Sequence, residues 1–439
     1  MSKELKEKIA SKKAVVGVIG LGYIGISLLD AFGSVGFSIV GFDLDEGRVN
    51  SIKEKNNYLS FLSMETLFDL EDKGKFKVST DSTILTEADV IVISVSTSLD
   101  QYRIPDLTNL RNAFRTVKAH LKPHQLIIVQ SSTYPGTTEE ELLPLLEDSS
   151  RNAGRDFYLA HVPEVADPGN TDFAFKDVPR MVSGITPICL ELAATLYETI
   201  GCPIVRCSST RVAEAAKLLQ NSYRLINISF INEMKMMFDH MNMDVWEVIK
   251  AASSKPFGFQ PFYPGPGIGG DCIPVTPFYL VWKASVTEGP TTMLEQAGHI
   301  NEHIPIYVFN KLILGLNRFS KPIQGAKILV LGVGYKQNVN QLRESPSLKL
   351  ITLMKKMQAD VSYHDPYVPE ISSIPEHPGL HLKSIQLDYG TLHTFDAILI
   401  LTDHTSYDWK KVVEHSKLVI DTRNVTGNIE GAEEKVIKA

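Results

Sequence analysis

The sequence predicts an α/β protein in which two doubly wound parallel sheets are joined by a helical middle with one long helix. Three observations predict it. Short β-branched runs alternate with segments of helical length at both ends of the chain. Between them, more than thirty residues from Thr210 onward contain neither Gly nor Pro. The motifs of the first half are also echoed in order in the second: VIGLGY (18–23) by VLGVGY (330–335), GFDLD by YHDPY, ADVIVIS by FDAILIL, and LIIVQSS by LVIDTRN. The echo concerns architecture and is weak residue by residue.

Taken in order, AVVGVIG (14–20), FSIVGFD (37–43), ADVIVISVS (88–96) and QLIIVQSS (125–132) are continuous apolar runs, as strands buried on both faces are. FYLAHV (157–162), RMVSGI (180–185) and PIVRC (203–207) extend the same sheet. Thr210 is the expected N-cap of the long helix. Its apolar residues, among them Val212, Leu219, Ile226, Phe230 and Met237, fall on more than one face. Such a helix is buried on two sides, between domains or in a dimer interface. The stretch 255–277 is too rich in turn formers to be anything but an ordered loop. A second helix is expected from Thr291 to Asn317, with a kink or restart at Pro305. AKILVLGV (326–333), ADVSYHD (359–365), FDAILILTD (395–403) and KLVIDTRN (417–424) supply the second sheet. The expected domains are 1–207, 208–320 and 321–439.

Composition bounds the function. At roughly 100–200 residues per domain, 439 residues make two to four domains. Lys and Arg total 44 against 51 Asp and Glu, a net charge of −7, which gives no reason to expect nucleic acid or an anionic membrane as partner. No apolar run approaches the roughly 20 residues needed to cross a bilayer. Cys189, Cys202, Cys207 and Cys272 include no CxxC pair, which fits reduced thiols in a cytoplasm and speaks against a metal site.

Five motifs carry the chemistry. Gly20-Leu-Gly22-Tyr23-Ile24-Gly25 lies between a predicted strand and a predicted helix, where glycines let a pyrophosphate approach the backbone. Asp43 ends the next strand, where a carboxylate accepts ribose hydroxyls and repels a 2′-phosphate, so NAD is expected rather than NADP. This identifies a Rossmann-like first domain; Arg48, Thr97 and Thr133 complete the expected cofactor set. In the second motif, glycines around Cys272 (Gly265, Gly267, Gly269, Gly270) keep its thiol from being buried, so it is a candidate nucleophile, whereas the other cysteines are core residues. Asp271 beside it tends to raise the thiol pKa. Third, Glu214, Lys217 and Asn221 share one helix face in an Ala-rich background, either a solvated ion-pair patch or site residues. Fourth, His161-Val-Pro163-Glu164, with Asp167 to Asn170 after it, follows a strand end, where parallel sheets place ligands. Fifth, Gly332-Val-Gly334-Tyr-Lys336 with Arg343 lacks a third glycine and suits a compact diphosphate held by charge, or else a surface ion pair.

Over nearly its whole length the sequence resembles the UDP-glucose/GDP-mannose dehydrogenase family. The resemblance rests on GLGYIG (20–25), SSTYPGTT (131–138), AEAAKLLQN (213–221), GPGIGGDCIP (265–274) and GYKQNVNQLRESP (334–346), in that order. PEVADPGN (163–170) and CIPVTPFYL (272–280) look more like the N-acetylhexosamine branch. The resemblance implies an NAD-binding domain, a helical core that makes a homodimer, and a last Rossmann-like domain that holds UDP. It implies oxidation of a UDP-sugar at C6 to the acid, with UDP-N-acetylglucosamine the first expectation, UDP-N-acetylmannosamine the second and UDP-glucose an alternative. A nucleotide-sugar-binding protein with impaired turnover is the remaining one. By resemblance Cys272 forms a thiohemiacetal and then a thioester, Lys217 and Asn221 serve the reacting oxygen, and Glu164 serves hydrolysis with Thr133 holding a water. Tyr263, Gly265, Gly267, Gly269, Lys336 and Arg343, together with Glu164, Lys217 and Asn221, contact the substrate. Thr276, Asp271, Val165 and Asn340 depart from the family's Asp, His, Arg and Asp at those positions, and Thr276 bears on thioester hydrolysis.

Overall fold

In the computed structural model, which describes residues 2–59, 62–165, 172–372, 374 and 376–439, the apolar runs of the first half become strands of one eight-stranded sheet. They are β1 Val15–Ile19, β2 Ser38–Phe42, β3 Phe76–Ser79, β4 Val90–Ile93, β5 Leu126–Val129, β6 Tyr158–His161, β7 Arg180–Gly184 and β8 Ile204–Arg206, in the order β8-β7-β6-β5-β4-β1-β2-β3. Neighbours are parallel except β6 and β7, which pair antiparallel through Ala160↔Gly184 and His161↔Ser183. The sheet direction reverses in order between β1 and β4, the switch point where such sheets bind ligands.

Alternate side chains of the central strands go to separate cores, which is why these strands read as unbroken apolar runs. Val16, Val90, Val92, Leu126 and Ile128 pack on one face with Leu28, Leu29 and Phe32 of α2 (Tyr23–Ser34) and with Leu5 and Ile9 of α1 (Ser2–Ala10). Ile91, Ile93, Ile127 and Val129 pack on the other face. Each such side chain removed from water contributes roughly 1.5–3 kcal/mol. The helix α3, Pro187–Glu198, covers the β7 side, with Cys189 and Tyr197 fully buried.

The chain separates into two compact units, Met1–Gln220 with Val275–Pro290, and Asn221–Pro274 with Thr291–Ala439. The long helix α4, Thr210–His240, begins in the first and continues in the second. It is not capped by Thr210, whose hydroxyl donates to Glu139 Oε1 at 2.8 Å; the Ser209 hydroxyl accepts from Val212 N instead, at 3.3 Å. The helix α5, Pro277–Val286, belongs to the first unit and α6, Thr292–Asn317, to the second. Pro305 neither breaks nor restarts α6. A proline forfeits one helical bond and crowds the turn before it, and in that turn Lys349 Nζ donates to the Glu302 carbonyl at 2.7 Å.

The second unit holds a parallel sheet of β9 Lys327–Leu331, β10 Asp360–His364, β11 Ala397–Ile400, β12 Val419–Asp421 and β13 Val436–Lys438, ordered β10-β9-β11-β12-β13. This is the other common doubly wound order, with its switch point between β9 and β11. The helix α7, Pro346–Lys356, packs Leu350, Ile351 and Met354 against it. Among the described residues no helix is long and apolar enough to cross a membrane.

Candidate functional site

The turn after β1 separates the glycines by what each one is for. Gly20 has φ +94°, and a Cβ there would lie 2.6 Å from the Ser94 carbonyl oxygen; a Cβ on Gly25 would meet the Gly20 carbonyl. Both are required by the protein's own packing. Gly22 has ordinary φ −69° and nothing within 4 Å of where a Cβ would stand, one residue before α2 begins. The missing side chain leaves open the approach to the first amides of α2, which suits a pyrophosphate. Asp43 Oδ2 accepts from Leu21 N at 2.6 Å and lies 3.3 Å from Arg48 Nη1, so the carboxylate at the end of β2 is fixed against the turn.

Thr97 and Thr133 follow β4 and β5 beside that switch point. Thr97 Oγ1 donates to the Ser132 carbonyl at 2.8 Å and Ser131 Oγ to the Val95 carbonyl at 2.7 Å, lacing the two strand ends together. Thr133 Oγ1 donates to Glu214 Oε1 at 3.3 Å. The same carboxylate accepts from Thr138 N, Thr138 Oγ1 and Gly136 N at 2.9, 2.7 and 2.6 Å. Burial pushes the Glu214 carboxyl up to about 7, against these donors. No solvated patch forms on this helix face: Glu214, Lys217 and Asn221 are 1, 9 and 3% exposed. No carboxylate pairs with Lys217 among the described residues, which leaves its buried ammonium available to a developing negative charge.

Beyond β6, His161 is fully buried, and neither ring nitrogen has a partner among the described residues. Burial pushes its pKa down to about 3, so it stays neutral and moves no proton near neutral pH. Glu164 Oε1 accepts from Arg180 Nη1 at 2.9 Å and from Val165 N at 2.8 Å, while Oε2 accepts from the Gln130 side-chain amide. The antiparallel register of β6 and β7, continued past His161↔Ser183, sets position 180 opposite position 164. The stretch Asp167 to Asn170 lies outside the described residues.

In the second unit the glycine loop packs against the turn after β9. Gly270 N donates to the Arg343 carbonyl at 2.9 Å. A Cβ on Gly269 would lie 2.6 Å from Tyr335 Cβ, and one on Gly270 2.9 Å from the Tyr335 ring. Gly267 has φ +129°. Gly265 N donates to Asn232 Oδ1 at 3.0 Å and Ile268 N to Asn301 Oδ1 at 2.7 Å. Tyr263 stacks on Trp246 with ring centroids 5.5 Å apart. Cys272 is half-buried, whereas Cys189, Cys202 and Cys207 are buried. Arg343 Nε lies 2.6 Å from Asp271 Oδ1. Burial raises the Asp271 carboxyl, and the Arg343 charge opposes this. In the first unit, Thr276 is buried just before α5.

The second glycine turn is built differently from the first. Val333 N and Gly334 N donate to Asp365 Oδ2 at 2.7 and 3.1 Å, and His404 Nε2 lies 3.0 Å from the same oxygen. The next helix, α7, starts only at Pro346. The turn's own amides are thus satisfied internally, and Lys336 and Arg343 beyond it are half-buried.

Sequence inspection did not single out Arg180, Tyr197, Asp365 or His404 as site residues. Arg180 had a usable signal, a cation opening a strand otherwise read as buried. Tyr197, inside an apolar helix, had none.

Compared with known proteins, the chain matches, in order, the UDP-glucose/GDP-mannose dehydrogenase family NAD binding domain over residues 14–201, the family's central domain over 211–303 and its UDP binding domain over 329–428. Protein CapL of Staphylococcus aureus is 31% identical over 422 residues, 94% of this chain and 97% of that protein. UDP-N-acetyl-D-glucosamine 6-dehydrogenase of Pseudomonas aeruginosa is 32% identical over 368 residues, 83% of this chain and 86% of that one. The solved structure of UDP-D-ManNAc dehydrogenase from Pyrococcus horikoshii has a TM-score of 0.83 at 30% identity, covering 93% of this chain and 95% of its own.

Proposed function

Because the chain belongs to the UDP-glucose/GDP-mannose dehydrogenase family, we propose that it oxidises the C6 hydroxyl of a UDP-N-acetylhexosamine to the carboxylate. UDP-N-acetylglucosamine is the first choice and UDP-N-acetylmannosamine the second; relatives of both names match at about the same identity. The observation that carries the reading is Cys272, the half-buried thiol among four, at the end of a glycine loop held by Asn232, Asn301 and Arg343. A thiol so presented suits attack on an aldehyde, and a covalent adduct keeps that aldehyde from escaping between two oxidations.

In this reading NAD, held by Gly20, Gly22, Tyr23, Ile24, Gly25, Asp43, Arg48, Thr97 and Thr133, supplies the hydride acceptor. Lys217 takes up charge on the C6 oxygen and Asn221 shares that contact. Cys272 forms the thiohemiacetal and then the thioester. Glu164 and Thr133 serve its hydrolysis. Tyr263, Gly265, Gly267 and Gly269 line the sugar, and Lys336 and Arg343 face the diphosphate. The segments 1–207, 208–320 and 321–439 serve as cofactor, central and UDP domains. All four cysteines are free, which suits a cytoplasmic enzyme.

We also propose a homodimer through α4. Val212, Leu219, Tyr223, Phe230 and Met237 are exposed and recur at intervals of seven and four, so they form one stripe along the helix. The substrate assignment is tested by kcat/KM for UDP-N-acetylglucosamine, UDP-N-acetylmannosamine and UDP-glucose with NAD. A UDP-N-acetylhexosamine is expected to lead, and a preference for UDP-glucose would overturn it.

A further inference from the structure

A chain of buried polar groups ends on Glu164, and none of the roles above uses its other members, Tyr197, Gln130 and Arg180. Tyr197, on the inner face of α3, donates its hydroxyl hydrogen to Gln130 Oε1, and the Gln130 amide donates to Glu164 Oε2. Arg180 donates to Glu164 Oε1 from the opposite strand, and its guanidinium lies 3.9 Å from the centre of the Phe175 ring. Tyr197 and Arg180 are fully buried, Gln130 and Glu164 almost so.

The chain has a direction. Burial pushes the Tyr197 phenol far up, so it stays protonated and donates. Its acceptor must be the Gln130 carbonyl, which turns the Gln130 NH2 toward the carboxylate. The flipped amide would set an oxygen against a carboxylate oxygen and a donor against a donor. Three elements, α3, the end of β5 and the start of β7, therefore converge to fix one carboxylate in one rotamer. Taking an Arg–Glu pair out of water stabilises a fold little or not at all compared with apolar residues of the same shape. What it does secure is a carboxylate held in one orientation at the carboxyl end of β6.

We propose that Tyr197, Gln130 and Arg180 are positioning residues that hold Glu164 as the base for thioester hydrolysis; the inference rests on the function proposed above. In that step water adds to the acyl carbon and gives a proton to Glu164. The C–S bond breaks, and the Cys272 thiolate takes the proton, leaving acid and free thiol. The oriented donors favour the ionised carboxylate, which lowers its basicity, and they prevent its rotation away from the water.

The test is Tyr197→Phe, which removes one oxygen and keeps the ring in the core, assayed by stopped flow with saturating NAD and UDP-N-acetylglucosamine. The rapid NADH phase is expected to remain within about twofold, because hydride transfer precedes hydrolysis. The steady-state rate falls roughly five- to tenfold, and its acid limb moves to higher pH, because a flipped Gln130 favours protonated Glu164. Gln130→Met, which removes the amide at similar volume, gives the same split if Tyr197→Phe does not fold. A parent-like slow phase and acid limb, or equal loss of both phases with an unmoved limb, overturns the proposal. Glu164→Gln in parallel separates the two levels. If it keeps the full slow phase, the assigned role of Glu164 is wrong; if it loses that phase while Tyr197→Phe does not, only the positioning is wrong.

Discussion

Arg343 and Asp271 are joined by an ion pair, Nε to Oδ1 at 2.6 Å, on the residue immediately before Cys272. The Arg343 carbonyl also accepts from Gly270 N, so one arginine holds the Cys272 loop by backbone and by charge. A negative charge beside a thiol raises its pKa and a positive charge lowers it. Asp271→Asn removes a negative charge and is expected to lower the pH midpoint for alkylation of Cys272 by iodoacetamide. Arg343→Ala leaves Asp271 uncompensated and is expected to raise it. Midpoints that do not move, or that move together, contradict this account of the pair.

The two glycines of the first turn are expected to fail differently. At Gly22 a Cβ would have no neighbour within 4 Å, so Gly22→Val should cost no more than about 1 kcal/mol, for the poorer N-cap, while KM for NAD rises about tenfold or more. Gly20→Val meets both a left-handed φ and the Ser94 carbonyl, and is expected to cost about 2 kcal/mol or more. Thermal unfolding and cofactor titration on both variants check this. Unchanged NAD affinity in Gly22→Val would mean the cofactor does not approach there.

Much of this was legible in the sequence because doubly wound sheets write themselves plainly. Strands buried on both faces appear as unbroken apolar runs, and the glycine turn with Asp43 lies at the spacing the fold requires. The direction of β7 was not legible, since an apolar run looks the same read either way, and with it went Arg180, which faces Glu164 only because that strand is reversed. The strands β3 and β13 were missed because FKVS and VIK are short and half polar. Pro305 marks no restart, because α6 runs on through it.

Glu214 gives stability a pH dependence with a defined sign. Its carboxyl sits at about 7 in the fold, above its ordinary 4.5, so the folded state binds that proton more tightly. This contribution is complete below pH 4.5 and is lost as pH rises through about 7, an effect of about 3 kcal/mol. Glu214→Gln, with no proton to lose, is expected to abolish it. The difference in stability between parent and variant should change in the variant's favour between about pH 5 and pH 8; a constant difference contradicts the assignment.

The apolar stripe on α4 makes its own demand. Leu219 and Phe230 are 66 and 53% exposed in the single chain, an arrangement expected to be covered in solution. Sedimentation should give a dimer for the parent and a monomer for Leu219→Glu combined with Phe230→Glu. A parent that is monomeric at micromolar concentration contradicts the dimer.

The proposed reaction is a four-electron oxidation through Cys272. It is tested most directly by the NADH formed per UDP-N-acetylglucosamine consumed, with UDP-N-acetylmannosamine run beside it and Cys272→Ser as control. Two NADH per sugar are expected with the uronic acid as product, and no net acid from Cys272→Ser although NAD and UDP-sugar still bind. One NADH per sugar with free aldehyde released, or undiminished acid formation by Cys272→Ser, would contradict it.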